Sequence, residues 1–320
     1  MKLYPRRLDI AGVHTLHDFN QRVKEGKAAQ LINVAEALQE RGIVLIADNI
    51  ARRKARLALI AGPSSSGKTT FSKRLAIQLL CRGLRPHTLS TDDYFVNRVD
   101  TPRDETGEYD FECIGAVDTA LLCRQLKTLL EGKQVELPRY DFPTGERKYE
   151  GKQLQLKPKD IIIIEGNHAL NPLLTQSLPD REKFKVFVSP LSQLPLSDTE
   201  RVKPEDVRLL RRILRDSQFR GFTAQQTIRR NPSVLSGERR WILPFKQQAH
   251  ATFNSSLLYE LSVLRDKALP LLGDVPEDTP EHPKAQRLTE ILQAQTPLPA
   301  DQVPPTSLLR EFWGGSSFKY

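Results

Sequence analysis

The stretch Gly62-Pro63-Ser64-Ser65-Ser66-Gly67-Lys68-Thr69 constrains this chain more than any other, because it fits G-x-x-x-x-G-K-[ST]. An apolar run, Leu57-Ala58-Leu59-Ile60-Ala61, leads into it as a buried strand would. A helix-period segment from Thr70 to Leu80 leads out, with Phe71, Leu75, Leu79 and Leu80 able to face a sheet. In that strand–loop–helix context, backbone N–H groups converge on phosphate oxygens and the helix N-terminus adds partial positive charge. Residues Gly62 to Thr70 are therefore expected to bind a nucleoside triphosphate. Lys68 would reach the β- and γ-phosphates, and the Thr69 hydroxyl would ligate Mg²⁺.

A chain of 320 residues can bury a full α/β core, with one main domain and a small accessory element. No stretch approaches the roughly 18 apolar residues of a membrane span, and the start lacks the apolar core of a signal peptide. Cys81, Cys113 and Cys123 are odd in number and lack metal-type spacing, which predicts reduced thiols in a cytoplasm. The formal charge of +9 admits a nucleic-acid partner. Much of the excess lies within Arg201 to Arg240, however, and a regional excess favours a phosphate site over a general nucleic-acid surface.

Residues 1–55 read as a helical extension. Leu31, Val34, Ala35 and Leu38 repeat at helical spacing and Ile43 to Ala51 form a second apolar patch, suited to packing or to contact between copies in a homo-oligomer. The core is expected over 56–270. Pro86 to Ser90 is its second strand, and a polar loop from Asn97 to Tyr109 leads to a helix over Val117 to Leu130. The run Ile161–Ile164 is a strand covered on both faces, and Phe184 to Val188 is a further strand. Alternation of strands and helices predicts a doubly wound parallel sheet with helices on both faces. Pro232 to Pro244 reads as turn-rich with an exposed Trp241, Lys246 to Leu258 as helical, and Tyr259 to Leu264 as a last strand. Residues 271–320 read as a loop, a helix over Lys284 to Gln295, and a tail draped over the body.

Parallel sheets place ligands beyond the carboxyl ends of their strands. The second strand ends at Asp92 and Asp93, and the isoleucine strand ends at Glu165-Gly166. Asp92 suits a general base on an attacking hydroxyl, Glu165 suits Mg²⁺, and Asp93 suits a helix cap. Downstream, Arg208, Arg211, Arg212 and Arg215 fall on one helical face, with Leu209, Leu210, Ile213 and Leu214 on the other. Charge runs are usually solvated faces. Beside a phosphate loop, this one reads as an Arg-bearing lid helix, within a lid spanning about 200–245. Arg211 and Arg212 would act on the transferring phosphoryl group, Arg215 would hold the nucleotide and Arg208 would face the acceptor.

The chain resembles the uridine kinase/phosphoribulokinase family of P-loop kinases over roughly two-thirds of its length, Leu57 to Leu264. The resemblance rests on Ala61 to Thr70, Leu89-Ser90-Thr91-Asp92-Asp93-Tyr94-Phe95, Tyr109-Asp110-Phe111, Pro138-Arg139-Tyr140-Asp141-Phe142, Ile164-Glu165-Gly166 and Arg208 to Asp216. It is similar above all to a nucleoside-kinase-like branch often fused to threonyl-tRNA-synthetase-type N-terminal domains, and no such domain is read in residues 1–55. The resemblance implies that Asp92 takes the proton of a ribose 5′-hydroxyl and that Asp110 holds the sugar hydroxyls. It further implies that Tyr140 and Phe142 wall the nucleobase, with Arg147 near the substrate. One departure stands out: where uridine kinases carry a base-reading histidine, this chain has Pro143-Thr144-Gly145-Glu146. Losing a buried hydrogen-bond reader costs discrimination.

The reading that follows is an ATP- and Mg²⁺-dependent small-molecule kinase of a nucleoside 5′-hydroxyl. Two others stand beside it, a kinase of a non-nucleoside alcohol such as a sugar phosphate, and an RNA- or partner-binding regulator switched by ATP. Intact Lys68, Asp92 and Glu165 speak against the regulator.

Overall fold

The computed structural model describes residues 12–104, 107–191 and 201–320. The first eleven residues of the expected extension, 105–106 of the polar loop and position 200 of the lid span lie outside them.

Two helices open the described chain, α1 (Leu16–Lys24) and α2 (Ala28–Arg53). The first is set by a reciprocal cap in which Thr15 and Asp18 satisfy each other's free backbone amides. The second runs unbroken through both apolar patches, burying Leu31, Ile32, Ala35, Ile43, Ile46 and Ile50 at helical intervals. Strand β1 (Leu57–Ala61) and helix α3 (Lys68–Leu80) then flank the glycine-rich loop, and β2 (Arg85–Ser90) follows. Helix α4 (Thr119–Leu130) leads to an antiparallel hairpin, β3 (Val135–Asp141) and β4 (Glu146–Leu154), which the periodicity did not reveal. Next come β5 (Asp160–Glu165), the short α5 (Pro172–Thr175) and β6 (Lys183–Ser189). Helices α6 (Pro204–Arg220) and α7 (Ala224–Trp241), strand β7 (Ala251–Asn254), and helices α8 (Glu260–Gly273), α9 (His282–Gln293) and α10 (Arg310–Trp313) complete the order.

The main sheet is five-stranded and parallel, in the order β2-β5-β1-β6-β7. From β1 the chain winds first to β2 and β5 on one side, then to β6 and β7 on the other. The reversal puts the loop after β1 at a crevice where ligands of such sheets bind. Alternate residues divide the core. Ala58, Ile60, Ile161 and Ile163 join a layer with α2, α3, α6 and α8, while Leu57, Leu59, Ile162 and Ile164 join one with α4 and the hairpin. Helices thus cover both faces. The N-terminal helices share the first layer and are tied to α3 by ion pairs of Arg74 with Glu36 and Glu40, and of Arg82 with Asp48.

Three local readings are corrected. Pro232 lies inside α7, which continues to a half-buried Trp241. Burial of Ile228, Asn231, Gly237 and Glu238 outweighs the one hydrogen bond a proline removes. Residues 246–258 hold the end of a 3₁₀ turn (Leu243–Gln248) and β7, because β6 offers an open edge for Ala251–Asn254 to pair with. Residues 260–264 open α8 instead of forming a strand, since so short a segment, apolar at Leu261, Val263 and Leu264, fits either period and its neighbours decide.

Candidate active site

The loop between β1 and α3 is shaped by two glycines. A Cβ on Gly62 would stand 2.0 Å from the Val188 carbonyl oxygen, and Gly67 adopts φ +86°. Lys68, only 8% exposed, donates to the Pro63 carbonyl at 3.2 Å and to Asn167 Oδ1 at 2.9 Å. Burial pulls its ammonium below the ordinary lysine range, against the pull of Glu165 and Asp92. The Thr69 hydroxyl donates to Glu165 at 3.2 Å. Burial pushes the Glu165 carboxyl up to about 7, Lys68 opposing and Asp92 and Glu311 reinforcing. The Thr70 amide and hydroxyl both donate to Glu311, from the far end of the chain.

Asp92 follows β2 on a 3₁₀ turn whose cap is the Ser90 hydroxyl, not Asp93. Asp93 instead accepts weakly from the Tyr140 amide at 3.5 Å. The Asp92 carboxylate opens to the cleft yet is crowded by protein, and desolvation raises its carboxyl above the usual range while Lys68 lowers it.

These groups line a polar cleft of about 280 Å³ that holds Ser64 to Thr69, Asp92, Glu165 and Asn167. A second cleft of about 740 Å³ adjoins it and carries Tyr109, Asp110, Phe222 and Arg230. Ser64, Phe111, Glu112, Arg215 and Arg220 belong to both. A phosphate-sized cleft therefore opens beside a larger one, across a wall of one acid and two arginines.

The arginine stripe is not a solvated face, and its members divide. Arg211 is 0% exposed and turned beneath the loop, where it donates to the Ser65 and Ser66 carbonyls at 3.3 Å and to Glu260 at 2.8 Å. The spacing set it on phosphate; here its fully buried guanidinium is held by a buried partner that α8 supplies. Arg208, expected toward the acceptor, likewise pairs with Glu238 at 2.7 Å and donates to the Ser64 carbonyl. Arg212 donates to Asn231 at 3.1 Å and lines the larger cleft. Burial lowers its guanidinium to about 10, partly countered by Glu238. Arg215, bonded to Asp216 at 2.8 Å, stands on the shared wall.

On the acceptor side, Phe142 is exposed at the phosphate cleft. Tyr140 is buried behind it and packs edge-on against Phe95 and Phe142, with centroids 5.4 and 5.1 Å away. Arg147, expected near the substrate, is turned onto Asp118 at 3.0 Å and lines neither cleft. Asp110 lines the larger cleft, but its carboxylate accepts from the Glu112 amide at 3.0 Å.

Sequence reasoning missed Glu112, Asn167 and Arg220. Glu112 accepts from Asn167 Nδ2 at 3.2 Å, and desolvation raises its carboxyl. Gly237 is required against it, since a Cβ there would stand 2.5 Å from Glu112 Cβ. The signals were weak but present. Glu112 directly follows Tyr109-Asp110-Phe111, Asn167 closes the turn after β5, and Arg220 ends the arginine helix.

The hard oxygen donors of Thr69 and Glu165 suit Mg²⁺, which takes few protein ligands beside water and phosphate. Among the described residues no trio of His, Cys, Asp or Glu stands ready to hold a metal by itself, and no helix is long and apolar enough to cross a membrane.

The family model for the phosphoribulokinase/uridine kinase family matches residues 58–259, more than half of the chain. Uridine kinase of Ligilactobacillus salivarius is 34% identical over 59% of this chain and 80% of its own length. Uridine kinase of Macrococcus caseolyticus is 32% identical over 59% and 83%. A solved structure titled a possible uridine kinase from Bacillus stearothermophilus aligns over 62% of this chain and 88% of its own, at 20% identity and a TM-score of 0.39, too loosely to bear on function. With its phosphate loop, strand-end acids and this match, the chain belongs to the phosphoribulokinase/uridine kinase family and is an ATP-dependent phosphotransferase of the P-loop type.

Proposed function

We propose that the chain transfers the γ-phosphoryl group of ATP to the 5′-hydroxyl of a nucleoside. The observation that carries this reading is the pair of adjoining clefts. One holds the phosphate loop with Asp92, the other is roomy and aromatic-edged, and Glu112, Arg215 and Arg220 stand between them. The uridine kinase relatives support the acceptor class.

In this reading the loop amides and Lys68 hold the β- and γ-phosphates. Thr69 and Glu165 would hold Mg²⁺, which neutralises charge on the phosphate oxygens. Asp92 takes the proton of the acceptor hydroxyl as its oxygen bonds to the γ-phosphorus, and the bond to the β–γ bridging oxygen breaks to leave ADP. A carboxyl raised above its usual range is a better base near neutral pH than an ordinary aspartate. Arg215 and Arg220 face the phosphoryl group in flight. Glu112, rather than Asp110, accepts from the acceptor's free hydroxyls, while Tyr109, Phe111 and Phe222 along the larger cleft offer faces to a base.

A second reading, phosphorylation of an alcohol that already carries phosphate, draws support from Arg212, Arg229 and Arg230 along the larger cleft. Assaying ATP-dependent ADP release against nucleosides and against sugar phosphates, with Asp92→Asn as control, separates the two. Turnover of nucleosides alone upholds the first. Turnover of sugar phosphates alone replaces it. Steeply salt-dependent RNA binding with no turnover of any small acceptor would overturn both.

A further inference from the structure

The end of the chain occupies part of the phosphate site. Glu311 lies 241 residues from Thr70, yet its carboxylate accepts from the Thr70 amide at 3.1 Å and from the Thr70 hydroxyl at 2.7 Å. The Tyr320 phenol stands 2.8 Å from the same hydroxyl. Leu308 closes on the loop itself, so that a Cβ on Gly67 would come within 2.5 Å of its side chain. Leu309 and Phe312 anchor the segment in the core, both at 0% exposure, and Trp313 follows them at 9%.

The first-turn donors of α3 have no partner within the helix, and the helix dipole favours an anion beside them. A triphosphate seated along the loop needs those donors, and a carboxylate already holds the one on Thr70. The two anions compete for one place.

We propose that the C-terminal segment is an internal competitor of the nucleotide. Glu311 holds an anion position at Thr70 and must withdraw, with Tyr320, before a nucleoside triphosphate seats fully. The proposal rests on the reading of the Gly62–Thr70 loop as a triphosphate site. The anchoring by Leu309 and Phe312 makes withdrawal a local shift around Glu311 and the stretch from Trp313 on. Whatever holds the segment away lowers the ATP concentration at which the enzyme saturates.

The test titrates ATP with Mg²⁺ into the full chain by calorimetry, comparing wild type with Glu311→Gln and Tyr320→Phe. Glu311→Gln keeps the side-chain shape but removes the charge. It should bind ATP roughly tenfold more tightly, the scale of one charge-assisted hydrogen bond, and Tyr320→Phe should tighten binding less. In a Trp241→Phe background, Trp313 emission should change as ATP saturates the wild type and change less in Glu311→Gln. Equal or weaker binding by Glu311→Gln would overturn the proposal, because the segment would then belong to the nucleotide-bound state. Unmoved Trp313 emission at saturation would overturn it too. If folded wild type and variants all fail to bind any triphosphate, the triphosphate reading of the loop fails, and the competitor falls with it.

Discussion

Arg211 and Glu260 form an ion pair in which neither side chain is exposed, and the same guanidinium bonds to the backs of Ser65 and Ser66. A residue that sequence spacing would set on a phosphate therefore stiffens the phosphate loop from behind. The loop can offer its amides to a ligand because its carbonyls are occupied on the other side.

Breaking that pair should be costly. Arg211→Ala leaves Glu260 buried without its partner, and such losses run to about 3–5 kcal/mol. Denaturant unfolding should show a drop of that size, with Glu260→Gln falling short of it. A change below about 1 kcal/mol would mean that solvent reaches the site.

Asp92→Asn keeps the shape of the side chain but cannot take up the proton. Its kcat should fall by about 10²-fold or more, while ATP affinity measured by calorimetry stays within a few-fold of wild type. Lost ATP binding with preserved kcat would make Asp92 a metal or structural residue.

Glu112→Gln tests the shared wall of the clefts. It should raise the acceptor KM by at least tenfold and leave the KM for ATP nearly unchanged, whereas Asp110→Asn should do less to the acceptor. The reverse order in steady-state kinetics would restore Asp110 as the residue that grips the sugar.

His168 gives a pH signature. It is 3% exposed, and burial lowers its imidazole from 6.5 to about 4. The unfolded chain therefore binds a proton that the folded chain refuses between those values. The stability this neutral histidine contributes is present above pH 6.5 and is lost as pH falls towards 4. One such group adds a slope of at most about 1.4 kcal/mol per pH unit. In chemical denaturation from pH 7 to 4 the wild type should lose stability relative to His168→Gln as pH falls, by up to that slope, and parallel curves would refute the assignment.

Arg215→Ala and Arg220→Ala should lower kcat by more than they weaken ATP binding, since their charge would act chiefly on the transferring phosphoryl group. Unchanged kcat in both, in the same kinetic assays, would confine them to their pairs with Asp216.

What the sequence determined by itself is local in origin. The run from Leu57 to Leu80 carries strand, loop and helix in consecutive residues, and Ile161–Ile164 can hardly be other than a covered strand. The acids that end β2 and β5 follow from the same reading, because strand ends point into the crevice of a parallel sheet. The tertiary structure decided whatever depends on partners distant in the chain. Residues 260–264 carry apolar positions that fit helix or strand, and packing made the segment a helix, which brought Glu260 to Arg211. Helical spacing put four arginines on one side of α6, but only the arrival of Glu238, Glu260 and Asn231 settled which of them were engaged. Glu311 reaches Thr70 across 241 residues of the sequence, and no periodicity records such a contact. Periodicity reports what a segment's own neighbours demand, whereas a buried charge is placed by the partner that satisfies it, and that partner is chosen by the fold.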